Sequence, residues 1–190
     1  SYLVPYELQK TDNANVVARA EVLEKLVSKK NNWVITYPKA LFEKIPSKKN
    51  LVSHTLKLEQ GKSYGIDFIN EQLFDLKFDR VDFVYEPGQF SIRGGIVDVF
   101  SYANDNPYRI EFFGEEVESI RTFDASTQLS INTHKFFNIV PNVQGEMISE
   151  GNVSFFEFIG ENSTIWLSSF EQTKSTLQGK SFNRSLKLLK

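Results

Sequence analysis

The run Tyr108 to Phe113 carries the side chains best suited to recognition chemistry. Strand alternation sends Tyr108, Ile110 and Phe112 to one face and Arg109, Glu111 and Phe113 to the other. Neighbouring same-face positions are expected to pair Arg109 with Glu111. One reading is a surface ion pair worth roughly 0–1 kcal/mol, with Phe113 tucked under the Gly114-Glu115 turn. The other is a protein-docking patch, because arginines and aromatics are enriched at binding hot spots. These residues alone leave both open. Arg93 adds a further cation, and its direction depends on Gly94-Gly95, which reads as a bulge or a close backbone approach. Parity carried straight through puts Arg93 with Val97 and Val99, whereas a one-residue bulge moves it to the opposite face. Asp98, between those valines, is expected to point outward rather than to serve an arginine.

Covalent chemistry finds little support. Gly61-Lys62-Ser63 and Gly179-Lys180-Ser181 resemble the end of a phosphate loop, but the glycine required five residues before Gly61 or Gly179 is Leu56 or Lys174. Glu115, Glu116 and Glu118 read as a solvated turn, since paired carboxylates work as acid and base only when their surroundings separate their pKa values. With no cysteine and two distant histidines, His54 and His134, no catalytic residue, cofactor site or metal site is expected. A net charge of −2 supplies no general attraction to nucleic acid. The sequons at Asn152, Asn162 and Asn183 mean little without a secretory route.

These residues need a scaffold, and 190 residues that are 41% hydrophobic, with 17 Phe, can build one large or two small domains. No apolar run is long enough for a membrane span and no leader pattern is present, so a soluble protein is expected. Residue 1 is Ser, which suggests an excised fragment. Val16, Ala20, Leu23 and Val27 form a helical stripe with Thr11, Asp12 or Asn13 as cap. Trp33 to Tyr37 reads as a strand, and Pro38 opens a helix through Ile45. Val52 to Leu58 reads as a strand. Ile66, Ile69, Leu73 and Leu76 then mark a helix, capped by Ser63, that should cover one face of a sheet built from Phe90–Arg93, Ile96–Phe100 and Tyr108–Phe113. Phe136 to Val140, Val153 to Ile159 and Ser163 to Leu167 read as later strands, Ser168 to Leu177 as a short helix, and the basic end from Leu186 as part of a further element.

A longer ordered pattern is similar to a known family. Phe90-x-Ile92-Arg93-Gly94-x-Ile96-Val97-Asp98-Val99-Phe100, then Tyr108-Arg109-Ile110-Glu111-Phe112-Phe113-Gly114-x-Glu116-Val117, then Ile120-Arg121-x-Phe123-Asp124, resembles the region shared by the excision-repair protein UvrB and the bacterial transcription-repair coupling factors, the Mfd family. Ala125-Ser126-Thr127-Gln128-Leu129-Ser130 is similar to the coupling-factor version, where UvrB usually reads like ALTG. The stretches Arg19–Leu26 and Val34–Leu41 lean the same way.

The resemblance implies an α+β insert domain over residues 51–135, mainly an antiparallel sheet with a covering helix. Partial α/β motor-like segments would flank it at 1–50 and 136–190. It implies a cytoplasmic adaptor that brings UvrA, the damage-recognition ATPase, to RNA polymerase stalled at a lesion. The ATP- and Mg-dependent DNA translocase, and the contacts with RNA polymerase and DNA, would lie elsewhere in a longer parent. Carried over residue by residue, Arg80, Arg93, Arg109 and Glu111 match residues on the UvrA-facing surface, with Phe113 beside them; Ser91 stands where UvrB tends to have a third arginine. The competing expectation is a nucleic-acid-binding module, with Arg80 and Arg93 on phosphate and Tyr85 or Phe113 stacking on bases.

Overall fold

A computed structural model describes residues 6–28, 32–143, 151–160, 163–167, 169, 171, 173, 175 and 186–188. Helix α1 spans Tyr6–Ser28. It begins before the expected caps, so Thr11, Asp12 and Asn13 lie inside it. Val16, Ala20 and Leu23 are buried along its inner face, while Val27 is exposed. Trp33 to Tyr37 is not a strand. The segment is apolar and β-branched enough to be one, but no described strand lies beside it to take its backbone hydrogen bonds, and Trp33 and Ile35 are 91% and 101% exposed. Pro38 opens only a 3-10 turn, Pro38–Phe42, followed by the short strand β1 (Lys44–Ile45). Helix α2 (Lys48–Ser53) is capped by the Ser47 hydroxyl, which accepts from the Asn50 N–H. It takes the first part of the stretch expected to be extended, and only Leu56–Glu59 becomes a strand, β2.

Helix α3 (Ile66–Asp75) carries the expected stripe, with Gly65 rather than Ser63 at its N-cap. Ser63 instead bridges to Glu116. Lys77 adopts the left-handed conformation just past its end and the Phe78 N–H returns to the Leu73 carbonyl, closing the helix and turning the chain into the sheet. Six strands follow in order: β3 (Asp79–Arg80), β4 (Gln89–Arg93), β5 (Ile96–Val99), β6 (Tyr108–Phe113), β7 (Glu116–Phe123) and β8 (Ser130–His134). All neighbours are antiparallel except β3 and β4.

Gly94-Gly95 is a chain reversal rather than a bulge. Arg93 and Ile96 face each other across it, and φ is positive at Gly94 (59°) but not at Gly95, as in a type II′ hairpin turn. Close approach is also required: a Cβ on Gly95 would lie 3.0 Å from the Phe112 carbonyl oxygen. The reversal settles the direction of Arg93, which shares a face with Ile96 and Asp98, opposite Val97 and Val99.

Tyr108, Ile110 and Phe112 point into the main core with Phe90, Val97, Val99 and Ile120. That core is roofed by α3 through Ile69 and Leu73, and by a ribbon in which β2 pairs antiparallel with β9 (Phe136–Ile139). The Tyr108 and Phe137 rings stack with centroids 4.3 Å apart. A second core gathers Ala20, Leu23, Ile45, Leu51, Val140 and Phe158, and Tyr102 packs against both.

Beyond β9, β10 (Val153–Ser154) pairs with β1. The chain then departs from the expected long strand, because Ser154 and Glu157 form a capping box that starts a helical turn, α4 (Phe155–Phe158). β11 (Ile165–Leu167) pairs parallel with β12 (Leu186–Leu188). Most of the helix expected at 168–177, and Gly179-Lys180-Ser181, lie outside the described residues. The architecture is α+β with a mainly antiparallel sheet.

Candidate functional site

The face of the six-stranded sheet turned away from α3 is built from charge. Register puts Ser91, Asp98, Arg109 and Arg121 in one row across β4 to β7. Asp98 is only 1% exposed, and its outward expectation fails. Its strand does turn it away from the apolar core, but long side chains from both neighbouring strands close over it. Arg109 binds it in a bidentate fork, Nε donating to Oδ1 at 2.7 Å and Nη2 to Oδ2 at 2.8 Å. Arg93 Nη2 donates to Oδ2 at 2.6 Å. A buried carboxylate is tolerable only with such partners, and this one holds two guanidinium groups at fixed positions.

The expected Arg109–Glu111 pair does not form. Cross-strand neighbours outcompete the position two along, since they approach closely on the same face. Arg109 takes Asp98 from β5, while Glu111 takes Arg121 and accepts from the Ser119 hydroxyl at 2.8 Å, both on β7. Arg109 and Arg121 stand directly opposite each other; this like-charge contact is offset because each has its own carboxylate. The hydrogen bonds to Asp98 raise the Arg109 pKa above its ordinary value.

Aromatic faces support both cations. The Arg109 guanidinium lies 4.4 Å from the ring centroid of Phe123, and that of Arg93 lies 4.9 Å from Phe83. Arg93 Nη1 also donates to the Asp82 carbonyl at 2.6 Å, the acceptor shared by the Ser91 hydroxyl. Solvent access separates the two arginines. The Arg109 side chain is 18% exposed and that of Arg93 38%.

Arg93 and Arg80 line one surface concavity with Phe83, Ser91 and Ile92. Arg80 is exposed and forms no ion pair with any described residue. Of the five residues singled out in the sequence, Arg80 and Arg93 line this one concavity, and Arg109 meets Arg93 through their shared Asp98. Glu111 belongs to the adjoining pair with Arg121. Phe113 sits apart at the tip of the β6–β7 hairpin, 82% exposed rather than tucked under its turn, beside Gln60 and Gly61.

Sequence reasoning missed Phe83 and Gln128. Gln128 Oε1 accepts from Arg109 Nη2 at 3.0 Å. A signal was available in Asp124-x-x-Thr127, whose carboxylate accepts from the Ser126 and Thr127 N–H groups at 3.0 and 2.7 Å and shapes the loop that carries Gln128. Those bonds, chiefly from Thr127, hold the Asp124 pKa below its usual range.

Gly61-Lys62-Ser63 lies two residues ahead of the α3 N-cap, Gly65, and is paired edge to edge with β7, the Gly61 N–H bonded to the Val117 carbonyl. Among the described residues no cluster of His, Asp or Glu could hold a metal ion, and no helix is long and apolar enough to cross a membrane.

Comparison with known families matches residues 56–144 to the UvrB interaction domain. The transcription-repair-coupling factor of Bacillus subtilis (strain 168) is 34% identical over 123 residues, covering 65% of this chain and 10% of its own length. That of Rickettsia bellii (strain RML369-C) is 32% identical over 167 residues, covering 85% and 15%. That of Escherichia coli (strain K12) is 26% identical over 138 residues, covering 73% and 12%. The chain therefore spans only a small part of each of these relatives.

Proposed function

Residues 56–144 belong to the UvrB interaction domain family, in a chain related to the transcription-repair-coupling factors, and on that premise we propose that the Arg80–Arg93 surface docks UvrA. The chain then acts as the cytoplasmic adaptor piece of a coupling factor, delivering excision-repair proteins to RNA polymerase stalled at a lesion. ATP- and Mg-dependent translocation, and contacts with polymerase and DNA, fall to the rest of a longer protein.

One observation carries this reading: Arg80 and Arg93 line a single concavity with the half-exposed ring of Phe83. Cations beside an aromatic suit carboxylates on a partner, and Arg93 arrives pre-positioned by Asp98, so little side-chain entropy is lost on binding. Arg109 is mostly covered and has committed three donor contacts; its part is to hold the surface from behind.

Calorimetric titration of the chain into UvrA tests the proposal. Wild type should bind saturably, and the Arg80→Glu/Arg93→Glu variant should bind at least about 100-fold more weakly, two charge-assisted contacts at roughly 1.5–3 kcal/mol each. Equal binding by a variant whose circular dichroism is intact would sink it.

The exposed ring of Phe83 in the same concavity as Arg80, with the exposed ring of Tyr85 two residues on, favours a second reading, a single-stranded nucleic-acid site. That reading requires DNA binding without any protein partner and a steep loss of affinity with salt.

A further inference from the structure

Gln128, in the loop between β7 and β8, lies at the far end of a chain of contacts that crosses three strands, β6, β5 and β4. It is one of two described non-glycine residues with positive φ, at 62°, a conformation that costs an L-residue roughly 1–2 kcal/mol and persists only where surrounding contacts enforce it. Three contacts do so. Its backbone N–H donates to the Asp124 carbonyl at 2.8 Å, its Nε2 donates to the Ala125 carbonyl at 2.8 Å, and its Oε1 accepts from Arg109 Nη2 at 3.0 Å. Because both ends of the amide are used, its oxygen is aimed at Arg109.

The chain continues from there. Arg109 grips both oxygens of buried Asp98, and Asp98 Oδ2 also receives Arg93 Nη2. We infer that Gln128 is a positioning residue for the docking surface, acting through Arg109 and Asp98 to set the guanidinium of Arg93 some three strands away. This rests on the UvrA-docking reading above. Phe123 supports the same arrangement from below but has no polar atom to direct it, so the orienting role falls to the amide.

Gln128→Gly and Gln128→Asn separate positioning from folding. Glycine adopts positive φ without cost and asparagine tolerates it, so neither variant should unfold at a lower temperature than wild type by more than a degree or two. Neither reaches Arg109 as glutamine does. Each should weaken UvrA binding about 5-fold, the scale of one net hydrogen bond. In an Arg93→Ala background the same substitution should change binding less than about 2-fold, because the group it positions is gone.

Wild-type strength in both single variants would overturn the inference and leave the docking reading intact. So would a full 5-fold effect persisting without Arg93. Absence of wild-type binding would instead overturn the docking reading and this inference with it.

Discussion

The two faces of the six-stranded sheet are made by opposite means. On one, Phe90, Val97, Val99, Ile110 and Ile120 interdigitate beneath α3 and the β2–β9 ribbon. On the other, Asp98, Arg109, Arg121 and Glu111, with the Ser91 hydroxyl beside them, form a ladder held by directional hydrogen bonds and ion pairs. The apolar face supplies cohesion that tolerates changes of partner. The polar face supplies position, which depends on each particular neighbour. Both properties coexist because the two faces belong to the same strands, one set of side chains turned to each side.

The sharpest way to break the comparison is to damage the apolar face. Ile110→Ala, at a fully buried position, should cost about 3–4 kcal/mol. Urea denaturation should show it as a lower midpoint with an unchanged slope, while UvrA affinity of the folded fraction stays as in wild type.

Asp98→Asn attacks the polar face. Removing the charge leaves two guanidinium groups facing a neutral amide, and since both are partly open to water the loss should be nearer about 2 kcal/mol than the 3–5 kcal/mol of a fully buried pair. UvrA binding should weaken as well. If Asp98→Asn left binding unchanged at a measured loss of stability, the claimed division between cohesion and position would collapse.

This difference also explains what the sequence disclosed. Tyr108, Ile110 and Phe112 could be assigned to the core from alternation alone, because apolar burial depends on residue type and parity. So could the stripe of α3. The pairing of Arg109 with Asp98 depends on the register of β5 against β6, which no local window contains. Asp98 read as outward because its strand does point it that way; its burial comes from arginines on other strands. The Gly94-Gly95 reversal was accessible, since paired glycines between alternating runs are a hairpin signal, yet a bulge satisfied the same residues. Trp33 to Tyr37 shows the reverse case, a strand-like composition with no described neighbour to complete it.

The smallest expected effect lies at the rim of the polar face. The lowered Asp124 pKa means that, in the acid range, the unfolded chain binds protons more readily than the folded one at this position. Its contribution is therefore present above the ordinary carboxylate value, about 3.9, and is lost as pH falls through the lower folded value. Stability measured from pH 6 down to pH 2 should fall less steeply for Asp124→Asn than for wild type, and identical slopes would remove this carboxylate from the loop's support.

The pairing of β2 with β9 has a further consequence. Leu56 and Ile139 face each other, so the polypeptide enters and leaves the sheet domain through adjacent strands. The chain on either side therefore meets this sheet as it would meet the two legs of a single hairpin. The sheet domain thus has the geometry of a cassette, its two connections held one strand spacing apart, roughly 4.7–4.9 Å.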